Sequence, residues 1–232
     1  EVAAGTYNEA LSIDKDLTLQ GAVGAKLTGG TTITGGNVTI AGFTINTKGI
    51  LASGVTGLTI QDNIFSNIRT AMTGSPGGSV IGLDVTSATG PILINNNEFS
   101  GIGNTGDTGT AIRMVGLSGA TTITGNRIQD VTKNGINIYN YPADGINLTI
   151  TGNTITNWDS DKDSADIGGR AIRIEFNSKN GSATINNNTL TPPTYGSGQT
   201  PVDSEYVKIT GSTNITKDFY WGSVELEKIV VE

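Results

Sequence analysis

Neither cysteine nor histidine occurs among the 232 residues. Without thiols there is no disulfide framework, no thiolate metal site and no cysteine nucleophile. Without imidazole there is no Ser-His-Asp triad, no His-ligated metal and no side chain that titrates near neutral pH unaided. Aromatics make up 6% of the chain and charged residues 15%, both low for an enzyme domain. No apolar run approaches the roughly 20 residues that a membrane-spanning helix needs. The formal charge is −7, a field that repels nucleic acid and anionic lipid. Neither nucleic acid binding nor membrane insertion is expected.

What is abundant is equally selective. Gly, Thr and Asn together account for 89 of the 232 residues, types that favour turns and extended chain over helix. The core then falls to Ile, Val and Leu, used in small repeated portions.

One pattern recurs: an apolar residue, two small or polar residues, Asn, any residue, and another apolar residue. It reads Ile60-Gln61-Asp62-Asn63-Ile64-Phe65, Ile94-Asn95-Asn96-Asn97-Glu98-Phe99 and Ile123-Thr124-Gly125-Asn126-Arg127-Ile128. It returns as Ile150-Thr151-Gly152-Asn153-Thr154-Ile155 and Ile185-Asn186-Asn187-Asn188-Thr189-Leu190, and an early variant, Ile40 to Ile45, has Phe43 in place of Asn. The Asn residues are 34, 29, 27 and 35 apart, intervals typical of a solenoid, propeller or array. A second alternating segment follows each copy: Ile81–Asp84, Ile112–Val115, Ile136–Tyr139, Ile172–Glu175 and Val207–Thr210. Strict alternation over so few residues means short strands with one buried face.

The arrangement that fits is a coil of short strands, each coil stacked about 4.8 Å from the last and parallel to it. The recurring Asn suits a left-handed corner, and its amides stacked from coil to coil would hydrogen-bond along the column.

These residues carry a resemblance. Val2-Ala3-Ala4-Gly5-Thr6-Tyr7-Asn8-Glu9 resembles the V-x-x-G-x-Y-x-E opening of right-handed parallel β-helix proteins of the pectate-lyase-like superfamily. The I-x-x-N-x-I copies resemble that superfamily's short repeats. Phe219-Tyr220-Trp221-Gly222-Ser223 is similar to the N-W-W-G signature that closes such domains in large bacterial surface and adhesin-like proteins. The resemblance implies an all-β fold, a right-handed parallel β-helix of about seven coils forming one domain over 1–232, with 212–232 as a C-terminal capping segment. It also implies an extracellular or cell-surface location. An N-terminal cap of the kind relatives carry does not precede Val2, and Glu1-Val2-Ala3 reads as the middle of a strand. The chain is therefore expected to be cut from a longer polypeptide, with neighbouring domains among its partners.

Stacking the second strands predicts two outward columns: Gly82, Arg113, Asn137, Arg173 and Lys208, then Asp84, Val115, Tyr139, Glu175 and Thr210. In the resembled lyases an Arg or Lys on such a face removes the proton beside a uronate carboxyl while Ca²⁺ neutralises it. Arg173, Arg113 and Lys208 are the candidate bases here. The structural alternative is a ladder of ion pairs on a solvated sheet, Arg113 and Arg173 paired with Glu175 or Asp84 and worth little. Asp84, Glu175, Tyr139, Tyr141 and Trp158 are the candidate substrate contacts, the rings being suited to stacking on sugar faces. Asp159, Asp161, Asp163 and Asp166 have the alternating oxygen spacing of a Ca²⁺ loop. Ser164 and Arg170 stand where an EF-hand requires Gly and Glu, so the options are a looser Ca²⁺ site or a solvated acidic tip.

Three functions follow in order. The leading one is a non-catalytic carbohydrate- or surface-binding module of an adhesin-like protein. The second is a Ca²⁺-dependent polyuronate lyase, and the remote third is ice binding by the Thr-rich face that Leu93 and Ala41 interrupt.

Overall fold

The computed structural model describes residues 1–104, 109–141, 147–158, 160, 169–176 and 181–191, with the backbone of Val207–Thr210, Ser212–Trp221, Val224–Glu225 and Ile229–Val231. Up to residue 191, side chains are described at all these positions except 140, 141, 176, 181 and 182.

Short strands recur in a cycle of three and pair in parallel with those of the coils before and after, while near the C-terminus Val224–Glu225 pairs antiparallel with Ser212–Trp221. Three faces result. Face I starts at Leu17–Gln20 and runs through Gly57–Gln61, Ile92–Asn95 and Thr121–Thr124 to the first half of Gly181–Thr191. Face II starts at Gly5–Tyr7 and runs through Ile64–Ile68, Glu98–Ile102 and Arg127–Val131 to the second half of that long strand. Face III comprises Leu11–Ile13, Thr31–Ile33, Ile50–Ser53, Val80–Thr86, Gly109–Val115, Asn134–Tyr141, Ile172–Phe176, Val207–Thr210 and Ile229–Val231. Its nine strands compare with about seven coils read from the repeat; the Asn copies mark the central coils, and further turns at the ends carry none. No α-helix occurs among the described residues.

Alternation becomes columns once the coils stack. On face I, Ile40, Ile60, Ile94, Ile123, Ile150 and Ile185 stand in register, all buried. On face III, Ile50, Leu83, Ile112, Ile136 and Ile172 form another such column. Face II contributes Ile45, Phe65, Phe99, Ile128, Ile155 and Leu190, with Phe65 and Phe99 stacked at 4.4 Å and 11°. Each buried Ile or Leu contributes about 1.5–3 kcal/mol. One continuous core thus runs the length of the coil.

The Asn copies stack in the corner between faces I and II. Asn63 Nδ2 donates to Asn97 Oδ1 at 3.1 Å, Asn97 to Asn126 at 3.0 Å, Asn126 to Asn153 at 2.9 Å and Asn153 to Asn188 at 2.9 Å. Each amide also donates back to an Ile carbonyl of the preceding coil, so Asn97 joins Ile60 O to Asn126. The left-handed residue is not this Asn, as the sequence suggested, but the one before it: Gly42, Asp62, Asn96, Gly125, Gly152 and Asn187 have φ between 52° and 77°. The turn there directs the following Asn inward, which is why its side chain is buried and an ordinary φ suffices.

The column stops at Phe43, whose backbone N–H donates to Asn63 Oδ1 at 3.0 Å. Its ring takes the space over Gly21, where a Cβ would come within 2.9 Å of the ring. Beyond the other end, the backbone register sets Phe219 beside Asn188.

Candidate functional site: a polar cleft on face III

Face III faces outward with Thr and Leu in its first coils and with charge in its later ones. The register puts Asp84, Arg113, Asn137 and Arg173 in one outward column, with Lys208 next to Arg173 in backbone register. Asp84, not Gly82, is therefore the neighbour of Arg113, a displacement of two residues from the expected alignment. A slip of two keeps every side chain on its face, so alternation alone does not detect it. Thr86, Val115 and Tyr139 form the next column, and Glu175 aligns with Thr210.

Arg113 Nη1 donates to Asp84 Oδ1 at 2.8 Å, and Asp84 is buried at 1% exposure, so it is not an open substrate contact. Burial raises the Asp84 carboxyl above its ordinary value, while the charge and hydrogen bond of Arg113 oppose that rise. Asp84 Oδ2 is buried without a partner. Arg113 is thus a donor held against a carboxylate.

One rung further, Asn137 is also buried, at 3% exposure. Its Nδ2 donates to the Tyr139 hydroxyl at 2.7 Å, and its Oδ1 has no partner. Arg173 Nη1 donates to the same hydroxyl at 3.1 Å, and its guanidinium carbon lies 4.8 Å from the Tyr139 ring centroid. Arg173 Nη2 is 3.9 Å from Glu175 Oε2, a solvated pair of small energetic consequence. Two cations, an amide and a phenol thus meet on three adjacent rungs.

A cleft of about 380 Å³ opens beside Arg173, lined by Ile81, Arg113, Lys133, Asn137 and Tyr139 of face III and by Pro76 and Ser79 of a second wall. The second wall comes from the segment between Ile68 and Val80, which passes outside Leu51 (a Cβ on Gly74 would lie 3.5 Å from it). It explains why Val80 to Val85 are buried on both faces. Sequence reasoning missed this wall. Its signal was the 34-residue interval between Asn63 and Asn97, which leaves room for an insertion.

The remaining expected site residues divide. Trp158 is 2% exposed within the core, so it offers no face to a sugar; the apolar interior claims a ring that the sequence placed near the groove. Tyr141 ends the strand Asn134–Tyr141, and Lys208 sits next to Arg173 in backbone register. Asp159, Asp161, Asp163 and Asp166 lie outside the described residues. Among the described residues no cluster of three acidic side chains is arranged to hold a metal. On face I the Thr column stands in register and Leu93 interrupts it. Its neighbour mixes Gln20, Ala41, Gln61, Asn95 and Thr124, so the face does not repeat one hydroxyl lattice.

Parallel strands on three faces, an inward Asn column and a polar cleft define a parallel β-helix with a lateral groove. The family model for the right handed beta helix region matches residues 23–214, and the chain belongs to that family. No curated protein and no solved structure is matched.

Proposed function

We propose that the protein is a non-catalytic, carbohydrate-binding β-helix module of an extracellular or cell-surface protein. The observation that carries this reading is the convergence of Arg113, Asn137 and Tyr139 on one cleft, with Arg173 holding Tyr139 in place. An open groove with a half-exposed ring and a few convergent polar groups suits a sugar, which is flat, hydroxyl-rich and apolar on its faces. Both arginines of the described site are engaged, one by a carboxylate and one by a phenol, so each acts here as a donor.

The second reading, a Ca²⁺-dependent polyuronate lyase, rests on Arg173, Arg113 or Lys208 as base and on the carboxylates of 159–166 around the ion. Native electrophoresis through gels containing neutral or acidic polysaccharides tests the first reading. Retardation in at least one gel, lost in Tyr139→Ala, is the expected outcome. Absence of retardation in all of them overturns it. Ultraviolet absorbance of an unsaturated product from polygalacturonate or alginate with Ca²⁺ would replace it with the lyase.

A further inference from the structure

We infer that the face III cleft recognises the hydroxyls of a neutral saccharide rather than uronate carboxylates, with Tyr139 as donor, Asn137 as acceptor and Arg173 as the residue that positions Tyr139. The inference rests on the carbohydrate-binding reading above.

A phenol has one proton and two lone pairs. Both acceptor positions of Tyr139 are occupied, by Asn137 Nδ2 at 2.7 Å and Arg173 Nη1 at 3.1 Å. What remains is the proton, so Tyr139 meets a ligand as a donor. Asn137 supplies the complement. Its Oδ1 is buried without a partner in a side chain that lines the cleft, and a desolvated acceptor in that state is costly until a donor arrives. A carboxylate has only acceptors and cannot satisfy it. A pair of sugar hydroxyls can, one accepting from Tyr139 and the other donating to Asn137.

Charge points the same way. Arg113 is paired with Asp84 at 2.8 Å, Arg173 has Glu175 at 3.9 Å, and the chain as a whole carries −7. Both arginines are thus matched by carboxylates, and Lys133 is a further cation on the lining, set in a chain whose overall field opposes a polyanion. Arg173 touches the site through Tyr139, beneath whose hydroxyl and ring it is held by two contacts.

The test uses the 232-residue chain, with hydroxyethylcellulose, galactomannan and glucomannan as neutral probes beside polygalacturonate and alginate. Binding to at least one neutral probe is expected, insensitive to added NaCl because no counterions are released. Tyr139→Phe keeps the ring and removes the proton, and should weaken that binding about tenfold, the value of roughly one hydrogen bond. Arg173→Gln should weaken the wild type yet add nothing in the Tyr139→Phe background, which a merely structural role would not produce. Circular dichroism and the melting temperature establish that the variants are folded. Neutral binding unchanged by Tyr139→Phe overturns the inference and leaves the module reading intact. Salt-sensitive binding to polyuronates alone has the same effect. Failure to bind any probe overturns both.

Discussion

Asn97 and Asn126 are joined twice through one atom: the backbone N–H of Asn97 donates to Asn126 Oδ1 at 2.9 Å and its Nδ2 donates to the same oxygen at 3.0 Å. Asn126 in turn donates to Ile94 O, Thr124 O and Asn153 Oδ1. The corner of the coil is thus closed by one side chain per rung, and each rung depends on the next.

Asn126→Ala should therefore lower stability by about 2–4 kcal/mol, since it strands two buried donors on Asn97 as well as removing its own bonds. Thr124→Ala, on the half-exposed side of the same turn, should cost well under 1 kcal/mol. Urea unfolding followed by circular dichroism compares them. Equal midpoints for the two variants would remove the Asn column from the account of stability.

Gly42 and Gly152 occupy equivalent left-handed positions, with φ of 77° and 66°. Asn stands at the same position in two other coils, at 96 and 187. Around Gly152 a Cβ meets nothing closer than 3.9 Å, whereas at Gly42 it would lie 2.9 Å from the carbonyl oxygen of Gly21. Gly152→Asn should be nearly neutral and Gly42→Asn destabilising by roughly 2 kcal/mol. A loss at Gly152 as large as that at Gly42 would contradict the steric argument.

Thr31 stands in a face III column with Ile50 and Leu83 and is fully buried, its Oγ1 without a partner. Thr31→Val replaces that hydroxyl by a methyl of the same size among apolar neighbours. Stability should rise by about 1 kcal/mol. An unchanged or lower unfolding midpoint would show that the hydroxyl is satisfied.

Asp84 should make stability depend on pH with an unusual sign. Burial, only partly offset by Arg113, raises its carboxyl in the folded protein. The folded state therefore binds the proton more readily than the unfolded chain, whose Asp titrates near about 3.9. Between that value and the raised one, stability falls as pH rises, and above it the cost is complete. Melting temperatures measured from about pH 4 to 8 on wild type and Asp84→Asn should diverge, the wild type gaining on the variant toward acid. Parallel curves would rule this out. Arg113→Met leaves the carboxylate buried and alone, with a cost of about 3 kcal/mol near neutrality that shrinks as Asp84 takes up its proton.

The architecture was legible because its cause is local and repeated. Ile at 60, 94, 123, 150 and 185 and Asn three residues after each recur in one frame, so one coil read correctly gives the next. Even the amide column followed from that frame, apart from the left-handed residue. That position is taken by Asp62, Asn96, Gly125, Gly152 and Asn187, a mixed set whose common property is tolerance of positive φ.

The site was legible only in part. Arg113, Arg173, Tyr139 and Glu175 could be assigned to an outward face by alternation alone. Pairing of Arg113 and Arg173 with Asp84 or Glu175 was legible too, but which partner each takes was not, because side-chain direction has a period of two and leaves coil-to-coil register open to slips of two. Asp84 against Arg113, Arg173 against Tyr139 and the wall with Pro76 and Ser79 exist only once the coils are stacked. Trp158 shows the same division: the sequence supplies an aromatic after a turn, and the room inside the coil decides that it packs inward. Composition and repeat thus determined a parallel coil of short strands with no imidazole or thiol chemistry. Packing between coils, which sets register and covers one stretch of face III with a loop, decided where charge is buried, which acceptors go without partners and where a cleft opens.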